Sequence, residues 1–157
     1  MSATSSTTLR GYDSSALYHA CLHDLYNGFL LVKAENKAYL EKERQKMDVL
    51  DLVLKAISEK KGTDIEVYDT RTMTPFMDTM VIASAGNLKQ NLAIAQNIKD
   101  RLFEAGWKGE VRMEGGQESK WILVDLKDIV IHLFTGEERK LYSLDRLYEE
   151  CPVTRYE

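Results

Sequence analysis

Trp121-Ile122-Leu123-Val124-Asp125-Leu126-Lys127-Asp128-Ile129-Val130-Ile131-His132-Leu133-Phe134 is the stretch that decides the fold. Two nearly continuous apolar runs, 121–126 and 129–134, flank the polar pair Lys127-Asp128. Short runs rich in Val, Ile and aromatic residues, joined across two polar residues, predict a central β-hairpin. Their apolarity predicts that both faces are covered. In the first run Trp121, Leu123 and Asp125 alternate against Ile122, Val124 and Leu126, so an indole and a carboxylate share one face. A large aromatic beside a charge suits the centre of an interface, and Trp121 suits a core equally well.

Outward from the hairpin, Asn87 is placed to cap a helix over 88–105, in which Leu88, Leu92, Ala95, Ile98 and Leu102 keep helical spacing and which Gly106 ends. Strands are predicted at 64–69, 78–83 and 111–113, with Ser84-Ala85-Gly86 and Gly115-Gly116 as turns. Pro75 pushes Thr74 toward extended backbone in the loop 70–77. A final amphipathic segment covers 141–150, preceded by Gly136-Glu137-Glu138-Arg139. Upstream, Val49, Leu50, Leu52, Val53, Leu54 and Ile57 predict a well-buried helix with Asp48 near its start and Gly62 just past its end.

Residues 1–46 read as a polar, then helical, leader; Asp13, Ser14 and Ser15 offer caps for helix over 14–46. Residues 47–150 form the domain and 151–157 a C-terminal tail. The predicted fold class is α/β (α+β), a mixed sheet flanked by helices.

The chain has 157 residues, 44% hydrophobic and 29% charged, with 2 Pro, which fits one folded domain with an appendage. No apolar run approaches the ~18 residues of a membrane span. Cys21 and Cys151 form no CxxC pair and read as reduced thiols, and the serine-rich start lacks the basic-then-apolar order of a secretory signal, so a cytoplasmic location is expected. Residues 1–46 hold 6 Lys/Arg against 5 Asp/Glu, a net +1; residues 47–157 hold 15 against 20, a net −5. Nucleic-acid binders present a basic face, and this domain does not. Its acidity points to a basic protein partner, to a small ligand, or to nothing special.

His19, Cys21 and His23 lie close enough to touch a metal, but zinc wants four ligands and no matching Cys/His pair follows. A plain helical surface is the better reading, and neither a metal nor a cofactor is expected. Asp125, Asp128 and His132 around the hairpin could do acid–base or metal-assisted work; equally, Asp128 stabilises the turn and His132 is a strand histidine with a satisfied ring nitrogen. Ser84-Ala85-Gly86-Asn87 ahead of a helix could bind an anion at the helix N-terminus, or merely connect strand to helix. Nucleotidyl transfer would need carboxylates clustered beside that turn, and Asp78 is the nearby one.

Several ordered motifs resemble one family. They are Asp64-Ile65 through Phe76-x-Asp78, Val81-Ile82-Ala83, Met113-Glu114-Gly115, Trp121-Ile122-Leu123-Val124-Asp125, Asp128-x-Val130-x-His132-x-Phe134, and Glu138-Arg139-x-x-Tyr142-x-Leu144-x-x-Leu147-Tyr148. Together, over about residues 47–150, they are similar to the ribosomal silencing factor family, also called Iojap or RsfS. Three departures stand out. Gly86-Asn87-Leu88-Lys89-Gln90 replaces a Thr/Ser-rich turn ending in Arg-Gln, Leu126-Lys127 replaces Tyr-Gly, and Tyr148 stands where Trp is frequent.

The resemblance implies a nucleotidyltransferase-like fold without that chemistry, hence no enzyme. It implies binding to the large ribosomal subunit through its fourteenth protein, at the subunit-facing surface. There the factor blocks joining of the small subunit and lowers translation when nutrients are scarce. Organelle relatives act in large-subunit assembly, and isolated members form dimers. Carried over by motif, Trp121, Asp125, His132, Glu138, Arg139, Tyr142, Leu144 and Tyr148 are the partner-binding residues. Arg139 has two readings, an ion pair inside the domain or a donor to the partner. Leu147 is expected to pack on the sheet. For the leader the readings are a dimer helix, a docking arm, or a start upstream of a native Met47.

Overall fold

The computed structural model describes residues 14–156, with side chains from residue 34 onward. The pattern His19, Cys21 and His23 and the cap reading at Asp13 therefore lie outside what is described. The chain forms two compact units, Met1–Arg44 and Gln45–Glu157.

Helix α1 spans Ser14–Glu59. No helix boundary falls at Asp48, contrary to the sequence expectation, and the reason is compositional. Between Gly28 and Gly62 the chain has neither Gly nor Pro, and 34–47 is dominated by Ala, Leu, Glu, Lys, Gln and Arg, all good helix formers. In the first unit the side chains of 34–42 are exposed. In the second, Val49, Val53, Leu54, Ala56 and Ile57 are buried.

The helix ends where predicted. Lys61 takes the left-handed conformation (φ 59°), and the Gly62 N–H reaches the Ile57 carbonyl at 3.0 Å while that of Lys61 reaches Ser58 at 2.8 Å. This double bond pattern closes a helix C-terminus. A Cβ at Gly62 would sit 2.4 Å from Ile57 Cγ2, so the chain approaches its own helix too closely for a side chain.

Strands β1 (Thr63–Asp69), β2 (Thr79–Ala85), β3 (Arg112–Glu114), β4 (Trp121–Asp125), β5 (Ile129–Thr135) and β6 (Val153–Tyr156) make one sheet in the order β3-β4-β5-β2-β1-β6. Only β2 and β5 run parallel; every other pair is antiparallel. Helix α2, Leu88–Glu104, begins the crossover between the parallel pair. Asn87 caps it, accepting the Gln90 N–H, and Gly106 (φ 74°) follows its end. The C-terminal part of α1 and α2 bury one face of the sheet, with Val53, Ile57, Ile94, Ile98 and Leu102 against Val81, Ile122, Val124, Ile131 and Leu133.

The hairpin forms as read, but its strands are not covered equally on both faces. Ile122 and Val124 are buried, whereas Trp121, Leu123 and Asp125 are only partly so. Strand β2, by contrast, has all seven of its positions buried. The second face carries a smaller cluster of Tyr68, Met80, Ile82, Phe134 and Cys151, with Met77, Trp121, Leu144 and Tyr148 packed at its margin.

Two C-terminal expectations are corrected. The segment 141–150 is not one helix: α3 (Gly136–Tyr142) and α4 (Leu144–Leu147) meet at Ser143, whose backbone is left-handed (φ 49°). Leu147 is 60% exposed rather than packed, because this corner turns it away from the sheet. Residues 151–157 contain strand β6, which pairs with β1 from Ile65↔Tyr156 to Tyr68↔Val153. Four mostly exposed residues at a sheet edge carry no apolar alternation to betray them.

Candidate functional site

Beside the second face, the β4–β5 register sets Trp121 opposite Phe134 and Leu123 opposite His132. The Trp121 ring lies 5.0 Å from Phe134 and 5.7 Å from His132, centroid to centroid. Tyr142, at the end of α3, tilts against the indole at 4.7 Å. Such separations are those of favourable aromatic pairs. The Trp121 Nε1–H is donated to His132 Nδ1 at 3.2 Å, so the imidazole carries its proton on Nε2. Burial pulls the His132 pKa down to about 4, which keeps the ring neutral. The stack has one open end, since Tyr142 is 51% exposed.

Arg139 is ion-paired inside the domain, the first of its two readings, and its partners form a charged cluster. Arg139 donates Nε–H to Asp145 Oδ2 at 3.3 Å, and its Nη2 reaches Asp145 Oδ1 at 2.8 Å and Glu66 Oε2 at 2.9 Å. Its Nη1 bonds the Asp64 carbonyl and Ser84 Oγ. All five guanidinium N–H groups thus have acceptors, the full capacity of the group. The neighbouring carboxylates hold the Arg139 pKa above its ordinary value against the effect of burial. Glu66 also accepts from the Tyr68 hydroxyl at 2.7 Å and from Arg155 at 3.0 Å. Burial, then the carboxylate of Glu66, pushes the Tyr68 hydroxyl pKa well up, so the phenol stays a donor.

The remaining predicted residues fall around these two groups. Glu138 pairs with Lys120 at 3.1 Å. Leu144 and Tyr148, like Trp121, pack at the margin of the second-face cluster. Asp125 stands apart: four residues along β4 from Trp121, it is roughly 13 Å away, and its Oδ1 accepts the Lys127 N–H at 2.7 Å. Its side chain therefore serves the turn, the role that the sequence assigns to Asp128. Glu66, Tyr68, Ser84 and Asp145 went unpredicted; the one available signal was that an Arg at the start of an amphipathic segment, once buried, needs acids from elsewhere.

The arrangement separates the parts that nucleotidyl transfer would need together. Asp78 and Asp128 lie at the start of β2 and β5, where the Asp78 N–H bonds the Asp128 carbonyl, and Asp125 lies nearby at the end of β4. Ser84-Ala85-Gly86 lies at the other end of β2, roughly 20 Å away. The Gly86 N–H is donated to Gln90 Oε1 at 2.8 Å and the Gln90 N–H to Asn87 Oδ1 at 2.9 Å, so side chains already occupy donors a phosphate would use. Among the described residues no three His, Cys, Asp or Glu gather to hold a metal, and no helix is long and apolar enough to cross a membrane.

The strand order and the motif series it carries define one class of small α+β domains. The family model RsfS, described as "Ribosomal silencing factor during starvation", matches residues 42–157. The chain belongs to the ribosomal silencing factor family. It is 35% identical over 105 residues to the ribosomal silencing factor RsfS of Bacillus subtilis, covering 67% of this chain and 88% of that one. It is 31% identical over 96 residues to the chloroplastic protein Iojap of Zea mays, covering 60% of this chain and 40% of that one. A crystal structure of a Bacillus halodurans protein matches with a TM-score of 0.61 and 30% identity, covering 70% of this chain and 99% of that one.

Proposed function

We propose that this chain binds the large ribosomal subunit in the cytoplasm and bars the small subunit by occupying its place, so lowering translation when nutrients are scarce. The docking surface is the open end of the aromatic stack, with Tyr142 on Trp121, and its margin of Leu144 and Tyr148. The partner is the protein that the family resemblance implies, the fourteenth of the large subunit at the intersubunit face. The observation that carries this reading is the half-exposed Tyr142 ring seated on a partly buried indole. An aromatic anchored from behind and open in front is the form that binding hot spots take. The net −5 of residues 47–157 complements a basic ribosomal protein and speeds encounter with it. A steric block needs residence and no bond-making chemistry. A standard interface of about 1,600 Å² gives affinities from micromolar to far tighter, set by its anchors.

Co-sedimentation of the purified chain with isolated large subunits tests this. The wild type is expected to pellet with them and Tyr142→Ala to bind at least about tenfold more weakly, a loss of ~1.4 kcal/mol. A wild type that stays in the supernatant at saturating subunit would overturn the reading.

A further inference from the structure

We propose that Arg139 is a positioning residue: held by Glu66 and Asp145, it fixes the corner between α3 and α4 and so keeps Tyr142 seated on Trp121 in the pose that docking uses. The inference rests on the docking reading above and concerns what builds that surface.

The first support is what does not hold the corner. Helices α3 and α4 have seven and four residues, and neither contains a buried residue. Helices this short do not persist by themselves, and their apolar anchorage is limited to Tyr142 on Trp121 and to Leu144 at the margin of the second-face cluster. The junction at Ser143 takes a left-handed backbone without a glycine, a conformation that surrounding contacts must impose.

The second support is what Arg139 connects. One guanidinium joins α3 to β1 through Glu66 and the Asp64 carbonyl, to β2 through Ser84, and to α4 through Asp145. Arg139 and Glu66 side chains are 12% and 15% exposed, so solvent competes weakly for these bonds. Tyr68 closes the cluster, its hydroxyl lying 2.7 Å from Glu66 and 3.3 Å from Asp145. The third support is that no N–H of Arg139 is left for a partner, which assigns its influence on docking to the side chains it places. Tyr142 follows it by three residues and precedes the corner.

A lysine keeps the charge but lacks the planar fork and two of the five donors. Arg139→Lys, in a Trp107→Phe background that leaves Trp121 as the single indole, is expected to shift the Trp121 emission and near-ultraviolet dichroism while the far-ultraviolet sheet signal is kept. In subunit co-sedimentation Arg139→Lys should cost about tenfold in affinity alone, yet less than twofold when Tyr142 is already Ala, because both changes remove the same contact. Asp145→Asn, which leaves the Glu66 pair in place, should give a smaller shift in the same direction and serves if the lysine variant does not fold. An unchanged Trp121 signal in folded Arg139→Lys, or affinity losses that simply multiply with Tyr142→Ala, would overturn the proposal. Failure of the wild type to bind subunits would instead defeat the docking reading, with the optical measurement deciding separately whether Arg139 places Tyr142.

Discussion

Trp121 and His132 are joined across neighbouring strands by a single bond, indole Nε1–H to imidazole Nδ1, at 3.2 Å. The bond requires Nδ1 to be unprotonated, so the indole orientation and the charge of His132 are linked. Since Tyr142 rests on the same indole, that linkage reaches the proposed docking surface.

The linkage has a pH signature. The His132 pKa is about 4 in the folded chain against 6.5 for a free imidazole. As pH falls through this window the unfolded chain takes up the proton first, so stability is full above about pH 6.5 and declines toward pH 4, by up to roughly 3 kcal/mol. Urea midpoints of wild type and His132→Gln from pH 7.5 to 4.5 should converge as the pH drops, because the variant lacks this proton uptake.

Asn91 is fully buried, and its Nδ2 donates to the Leu133 carbonyl at 3.2 Å. Asn91→Asp replaces that donor with a carboxylate facing a carbonyl. It should destabilise by about 2–4 kcal/mol at pH 7, less in acid where the group is protonated, as measured by chemical denaturation.

The hairpin turn carries Lys127 at φ 76°, where glycine is at ease and lysine is not. Lys127→Gly should stabilise by about 0.5–1 kcal/mol, since the Asp125 carboxylate still receives the N–H of residue 127. Thermal unfolding of the single variant checks this.

Tyr142 is half exposed, so its removal should separate binding from folding. Tyr142→Ala should lower the unfolding free energy by no more than about 1.5 kcal/mol, the worth of one aromatic pair, while still weakening subunit binding. Calorimetry beside co-sedimentation reads both quantities.

Where apolar periodicity was strong, the sequence was sufficient: the 121–134 hairpin, α2 with its Asn87 cap, and the strands on either side of Pro75 all form within a few residues of expectation. Three features were hidden for physical reasons. The continuity of α1 reflects the absence of a stop signal, which is harder to read than its presence. The corner at Ser143 turns on a left-handed residue that is not glycine, which no local pattern announces, and strand β6 depends on a long-range partner, β1. Of the site, Trp121, His132 and Tyr142 were legible as residues, and the structure brings them into one stack. The acids that secure Arg139 were not, because Glu66 is 73 positions away and no local pattern links them.

Exclusion by occupancy is read most directly from subunit joining. Separated large and small subunits are mixed in joining buffer with increasing amounts of the purified chain and resolved by sedimentation. Joined ribosomes should fall in proportion to large subunits occupied by the chain, with less effect when the small subunit is added first. An undiminished joined peak while the chain demonstrably saturates the large subunit would mean that the bound chain does not exclude the small subunit.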